Sequence, residues 1–185
     1  MTNTRNMTLV AVFTALSAIG AFIRIPLPFV AITLQTIFVF MAGILLGKNL
    51  GALSQILYLA LGLIGIPIFT EGGGPGYILR PSFGYLLGFI LAAYVVGLII
   101  EKKEINYLNT FLASVCGIIV IYLLGVPYMH IILNYVSNIE MTIWDSLKAG
   151  MLVFLTGDLI KILIVTVITP PIYTALKDSV LKNLK

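Results

Sequence analysis

Thr70 to Gly88 reads TEGGGPGYILRPSFGYLLG, and it joins two unlike pieces. The first places four glycines within Gly72–Gly76 and carries two charges, Glu71 and Arg80. The second opens an apolar run long enough to cross a membrane. Without a side chain, glycine lets backbone N–H and C=O groups come close to a bound molecule. Irregular backbone near membrane depth persists only where protein or a water-filled cavity satisfies its polar groups. The stretch therefore reads either as a binding loop or lid, or as a flexible turn outside the membrane.

The surrounding chain is poorer still in charge. Of its 185 residues, 60% are hydrophobic and 10% charged, and the mean hydropathy is +1.11. Soluble domains carry about 25% charged residues, so this chain cannot cover a water-facing surface. It reads as an all-α integral membrane protein. At roughly 20 apolar residues per crossing, its length holds six transmembrane helices in one membrane domain and leaves no room for a soluble one. The expected spans are 7–23, 31–47, 51–66, 81–100, 108–124 and 149–168.

Punctuation along the chain supports those limits. Arg5 and the run from Thr8 to Ile23 resemble a signal peptide, but Arg24 follows directly and no small-residue cleavage site stands out, so the run reads as a retained span. Pro26 and Pro28 break the helix after it. GILLGKN at Gly43–Asn49 lacks the spacing and the Ser or Thr of a phosphate-binding loop, which excludes nucleotide binding there and leaves a short interhelical turn. Pro67 ends the third span, and Glu101–Glu104 closes the fourth. Gly125 and Pro127 are expected to end the fifth, leaving 126–137 as an external segment. Trp144, Asp145 and Lys148 mark a membrane–water interface, and Pro170-Pro171 is expected to end the sixth span before a basic tail with Lys177, Lys182 and Lys185.

Six spans put both termini on one side. Arg5, Lys48, Lys102, Lys103, Lys177, Lys182 and Lys185 fall on that side, against Arg24, Arg80 and Lys148 on the other. Positive charge is enriched in cytoplasmic loops, so both termini are expected in the cytoplasm and the glycine loop outside. The net charge of +4 reports this topology rather than nucleic-acid binding.

Within the spans, polar residues are few. Asp158 and Lys161 in GDLIK are three apart, on one helix face, and can pair. Each costs about 2.5–3.5 kcal/mol in a membrane helix on insertion scales, so they read as a self-neutralising pair or as part of a ligand site. Gln35 adds an amide near a span boundary, and Phe29, Tyr77, Phe83, Tyr85, Tyr122 and Tyr128 are candidate cavity walls. With Arg80, Gly73 and Gly74, these residues suit a small amphipathic molecule with an anionic end. Ala11, Ala15 and Ala18 share one face of the first span, suited to close helix contact inside the bundle or with a partner. Cys116, within an apolar run, reads as a small core residue. One histidine, His130, and one cysteine leave no metal site of the usual type and no cofactor motif or catalytic set, so an enzyme is disfavoured. A stand-alone carrier for a small organic anion is the alternative reading.

TLQT at Thr33–Thr36, GGGPGY at Gly72–Tyr77, RPSFGYLLGF at Arg80–Phe89 and GDLIK at Gly157–Lys161 together resemble the BioY family. These are the biotin-specific substrate-binding (S) components of energy-coupling factor (ECF) transporters. The resemblance covers essentially the whole chain. It implies a six-helix ECF S-component fold in the plasma membrane and a biotin site near the outer face. It also implies partners, a transmembrane coupling protein and two cytoplasmic ATPases, with Ala11, Ala15 and Ala18 as the docking face. No catalysis by this chain is expected. On this reading Asp158 would accept hydrogen bonds from the ureido N–H groups, while Arg80 and Lys161 would meet the valerate carboxylate. Alternatively Lys161 neutralises Asp158 and leaves Arg80 alone on the carboxylate.

Overall fold

The computed structural model describes residues 2–177; Lys182 and Lys185 of the basic tail lie outside them. The chain is helical apart from its connections. Helix α1 spans Thr2–Phe22, α2 Gln35–Leu63, α3 Phe83–Glu101 and α4 Tyr107–Tyr135. A short α5, Ile143–Leu147, leads through a π-helical turn at Lys148–Leu152 into α6, Val153–Leu176. Five helical stretches are long and apolar enough to cross a membrane.

Six crossings were expected, and the difference lies in α2. Gly47 has φ 80° and ψ 176°, a backbone state open in practice only to glycine. A Cβ on Gly51 would lie 2.9 Å from the Cα of Gly43, and the Gln35 side chain bonds Tyr58. Both pairs sit symmetrically about Gly47, so the two halves of α2 run antiparallel. The stretch 35–46 and the stretch 48–63 are thus the second and third crossings, joined with almost no loop. Glu101 at the end of α3 secures the reversal, accepting from the Lys48 backbone N–H at 3.1 Å and pairing with its Nζ at 2.7 Å. The sharp turn expected within 43–49 is there, centred on one residue.

Two boundaries differ from expectation. Helix α4 runs through Pro127 to Tyr135, so 126–135 is helix rather than an external segment. Helix α6 likewise continues through Pro170 and Pro171. Proline is tolerated in membrane helices because neighbouring helices and Ser or Thr side chains satisfy the freed backbone groups. In α6 the carbonyls left without a helical donor are those of Thr166 and Val167, and the Thr174 hydroxyl adds a bond to the Pro170 carbonyl at 3.0 Å. At α4 the bare backbone of Gly125 is covered by the Tyr85 ring, which a Cβ would strike.

The core is a band of fully buried apolar residues on the mutually facing sides of α2, α3 and α4, including Val39, Phe40, Ala92, Val96 and Ile121. Polar contacts tie α1 to α2. The Thr14 hydroxyl donates to the Ser54 carbonyl at 2.9 Å, and Ser17 bonds Gln55 at 3.2 Å. Those residues occupy the inward face of α1. Ala11 and Ala15 lie on its outward face and are exposed, whereas Ala18 is half-buried and packs against the core. Cys116 also faces outward and is exposed, which corrects the core reading.

Replacing Gly47 with alanine forces a strained backbone, at a cost of about 1–3 kcal/mol, and brings the new Cβ to 2.9 Å from Glu101 Oε1. The melting temperature of the purified protein in detergent should fall by several degrees. Gly76→Ala, where an added Cβ meets nothing within 4 Å, should leave it nearly unchanged.

Candidate functional site

Three irregular connections, 23–34, 64–82 and 136–142, gather at the end of the bundle away from Gly47. Beneath the first two lies a cavity of about 50 Å³. Its walls come from five parts of the chain, and each helix contributes one face. Helix α6 presents Phe154, Asp158 and Lys161, spaced by four and three. The start of α3 presents Ser82, Tyr85 and Phe89, and α4 presents Ile118, Ile121 and Tyr122. These are spacings that place residues on a common helical face.

Asp158 and Lys161 form an ion pair in the cavity wall and are 6% and 5% exposed. The pair is held from both ends. The Tyr122 hydroxyl donates to Asp158, and Lys161 Nζ donates to the Thr33 carbonyl at 3.0 Å. A buried charge that loses its partner is expensive, so every element that touches this pair is constrained by it. The Thr33 carbonyl is presented by a small antiparallel hairpin, in which β1, Arg24–Ile25, pairs with β2, Ile32–Thr33. The two prolines expected to break the helix sit in the turn of that hairpin.

Gln35 joins this wall. Its side-chain oxygen accepts from the Thr33 hydroxyl at 3.1 Å, and its amide donates to Tyr58 at 2.9 Å. The Tyr58 hydroxyl in turn donates to the Ile68 carbonyl, reaching the root of the glycine loop. Tyr77, buried in that loop, bonds Thr70 at 2.8 Å and Ser82 at 3.1 Å. Tyr85 donates to the Gly150 carbonyl at 2.8 Å, within the π turn.

The glycine loop is anchored rather than loose. Gly74 N–H donates to the Gly62 carbonyl at 2.7 Å, and a Cβ on Gly73 would strike the carbonyl oxygen of Ile66. Phe69 meets Tyr58 edge to face and Tyr77 at a tilt, with centroids 5.4 and 4.5 Å away, and forms a bridge with Gly72.

Of the residues singled out from sequence, the cavity brings together Asp158, Lys161, Gln35, Tyr77, Tyr85 and Tyr122. Gly73 and Gly74 pack the loop onto the end of α2 instead of lining the cavity. Phe29 packs against the core, and Phe83 faces Tyr128 at 5.7 Å. Arg80 stands outside, its side chain 57% exposed and paired with Glu71 at 3.3 Å. It lies two residues before Ser82, at the rim. The sequence reading did not single out Thr70, Ser82, Phe89, Ile121 or Phe154 as site residues. Helical spacing from Asp158 and Tyr85 would have found Phe154 and Phe89. Thr70 and Ser82 had no such signal, because the turn around Pro75–Leu79 brings them together.

The family model for BioY matches residues 1–178. A probable biotin transporter BioY of Lysinibacillus sphaericus is 46% identical over 156 residues, covering 84% of this chain and 76% of that protein. The biotin transporter BioY of Thermotoga maritima is 40% identical over 165 residues, covering 89% and 93%. A crystal structure of the S-component for biotin from an ECF-type ABC transporter superposes with a TM-score of 0.81 at 30% identity, covering 94% of this chain and 93% of the other. The chain therefore belongs to the BioY family, a multi-pass membrane family of transporter S components rather than enzymes.

Proposed function

We propose that this chain captures biotin in the cavity beneath the glycine loop and delivers it inward together with an ATP-driven ECF module. The observation that carries the reading is the buried Asp158–Lys161 pair in the cavity wall. A carboxylate accepts from two ureido N–H groups, and an ammonium one helical turn away donates to the ureido carbonyl. A small cyclic urea matches that spacing, whereas the far end of the ligand does not. Lys161 is already engaged by Asp158 and the Thr33 carbonyl, so it serves the ring end. Phe89, Ile121 and Phe154 supply apolar contact for the middle of the molecule.

The carboxylate end is assigned to Arg80. Its partner Glu71 is about half exposed, and such surface pairs are worth about 0–1 kcal/mol. A ligand carboxylate can displace Glu71 at little cost. The cavity, at about 50 Å³, is smaller than the roughly 300 Å³ or more of sites for small ligands. Outward movement of 64–82, the segment that the Glu71–Arg80 pair spans, would enlarge it. The exposed Ala11 and Ala15 face is proposed as the contact with the coupling protein, which with two ATPases completes the transporter. Both termini are placed in the cytoplasm on the Lys and Arg distribution.

Calorimetric titration of the purified protein in detergent with biotin and a panel of other vitamins tests this. Biotin alone should bind tightly. Loss of a charged hydrogen-bond partner costs about 1.5–3 kcal/mol, so Asp158→Asn and Arg80→Ala should each weaken binding by about 10- to 100-fold. Full affinity in both variants, or no biotin binding by folded protein, contradicts the site. In proteoliposomes, biotin uptake should require the coupling protein, the ATPases and ATP. Uptake by the chain alone would instead make it a stand-alone carrier.

Lys161→Met should cost about 3–5 kcal/mol, because it leaves a buried carboxylate unpaired. The Asp158→Asn, Lys161→Met double variant should recover most of that stability in thermal melts, yet still not bind biotin.

A further inference from the structure

A second groove lies between α3 and α4, at the end of the bundle opposite the cavity. It has a volume of about 440 Å³ and is lined by Ile99, Leu112, Val115 and Cys116, with Lys102 and Lys103 at its mouth. We propose that this groove binds one anionic phospholipid, with an acyl chain along the apolar wall and the phosphate between the two lysines.

Three observations carry the assignment. Both lysines are exposed, and no ion pair among the described residues involves either. The acid before them, Glu101, is engaged by Lys48. The acid after them, Glu104, is exposed and is not among the groove-lining residues. Among the described residues, the site thus offers two cations that no ion pair engages, with Glu104 the adjacent acid that none engages either. Depth is the second observation. Cys116 is nine residues along α4 from its first residue, Tyr107, which at 1.5 Å per residue is about 14 Å. The hydrocarbon core is roughly 30 Å thick, so the groove reaches about as deep as one leaflet's acyl chain. Third, the wall below the lysines is apolar throughout. A soluble anion would leave that wall uncovered, whereas a lipid satisfies both parts at once. Basic pockets between membrane helices are recognised lipid headgroup sites.

Cys116 is the only cysteine, is exposed and lines the groove, so it reports occupancy directly. Delipidated protein in detergent would be labelled with a membrane-permeant maleimide during titration with phosphatidylglycerol, phosphatidylcholine of the same chains, or glycerol 1-phosphate. Phosphatidylglycerol should slow labelling saturably, and the other two should not. The Lys102→Gln, Lys103→Gln double variant should require about thirtyfold more phosphatidylglycerol for the same protection. Its retained biotin binding serves as the check that it is folded. Equal protection by phosphatidylcholine, protection by glycerol 1-phosphate, or full protection in the double variant would each overturn the proposal. The lysines and Cys116 lie far from the biotin cavity, so failure here is separable from failure of the biotin assignment.

Discussion

The buried pair of Asp158 and Lys161 constrains the architecture around it. An unpaired charge at this depth is not tolerated, so the pair must be met by donors and acceptors from other elements. Tyr122 comes from α4, and the Thr33 carbonyl comes from the hairpin between α1 and α2. Thr33 then holds Gln35, Gln35 holds Tyr58, and Tyr58 holds the root of the glycine loop at Ile68. A chain of polar contacts thereby runs from the floor of the cavity to its cover. Each link lies in an apolar surrounding, where a broken hydrogen bond has no water to replace it.

At the other end of the molecule the constraint is steric. The reversal at Gly47 lets two crossings share a single turn, and Glu101 locks it to α3. Gly97 sustains the contact, since any Cβ there would strike the backbone of Lys48. The reversal is therefore packed closely against α3, while the opposite end is built from loops held by backbone and side-chain hydrogen bonds.

Much of this was legible in the sequence. Scarcity of charge announced the membrane, and the long helices appeared as apolar runs. Asp158, Lys161 and Gln35 stood out because polar groups in such runs need a reason. What stayed hidden was rotational and tertiary. Pro127 looks like a terminator, yet α4 runs through it to Tyr135. Arg80 looks like a cavity residue until Glu71 draws it to the rim. Cys116 and the alanines of α1 carry no mark of which way they face. Thr70 and Ser82 are unremarkable apart and meaningful only because both reach Tyr77.

The π-helical turn at Lys148–Leu152 sets the aim of α6. Its i→i+5 pattern takes up one residue more than an α-helical turn, and one residue is about 100° of rotation. Before the turn, Ser146 is directed at His130 of α4, bonded at 2.8 Å. After it, Phe154, Asp158 and Lys161 are directed at the cavity. A regular helix could not satisfy both directions with this spacing. The Tyr85 hydroxyl reads the same turn by bonding the Gly150 carbonyl. The extra residue thus works as a phase shift along an otherwise continuous rod. Straightening the turn into a regular helix at its present length would remove no residue of the site, yet it would swing the charged face of α6 by about 100° away from it.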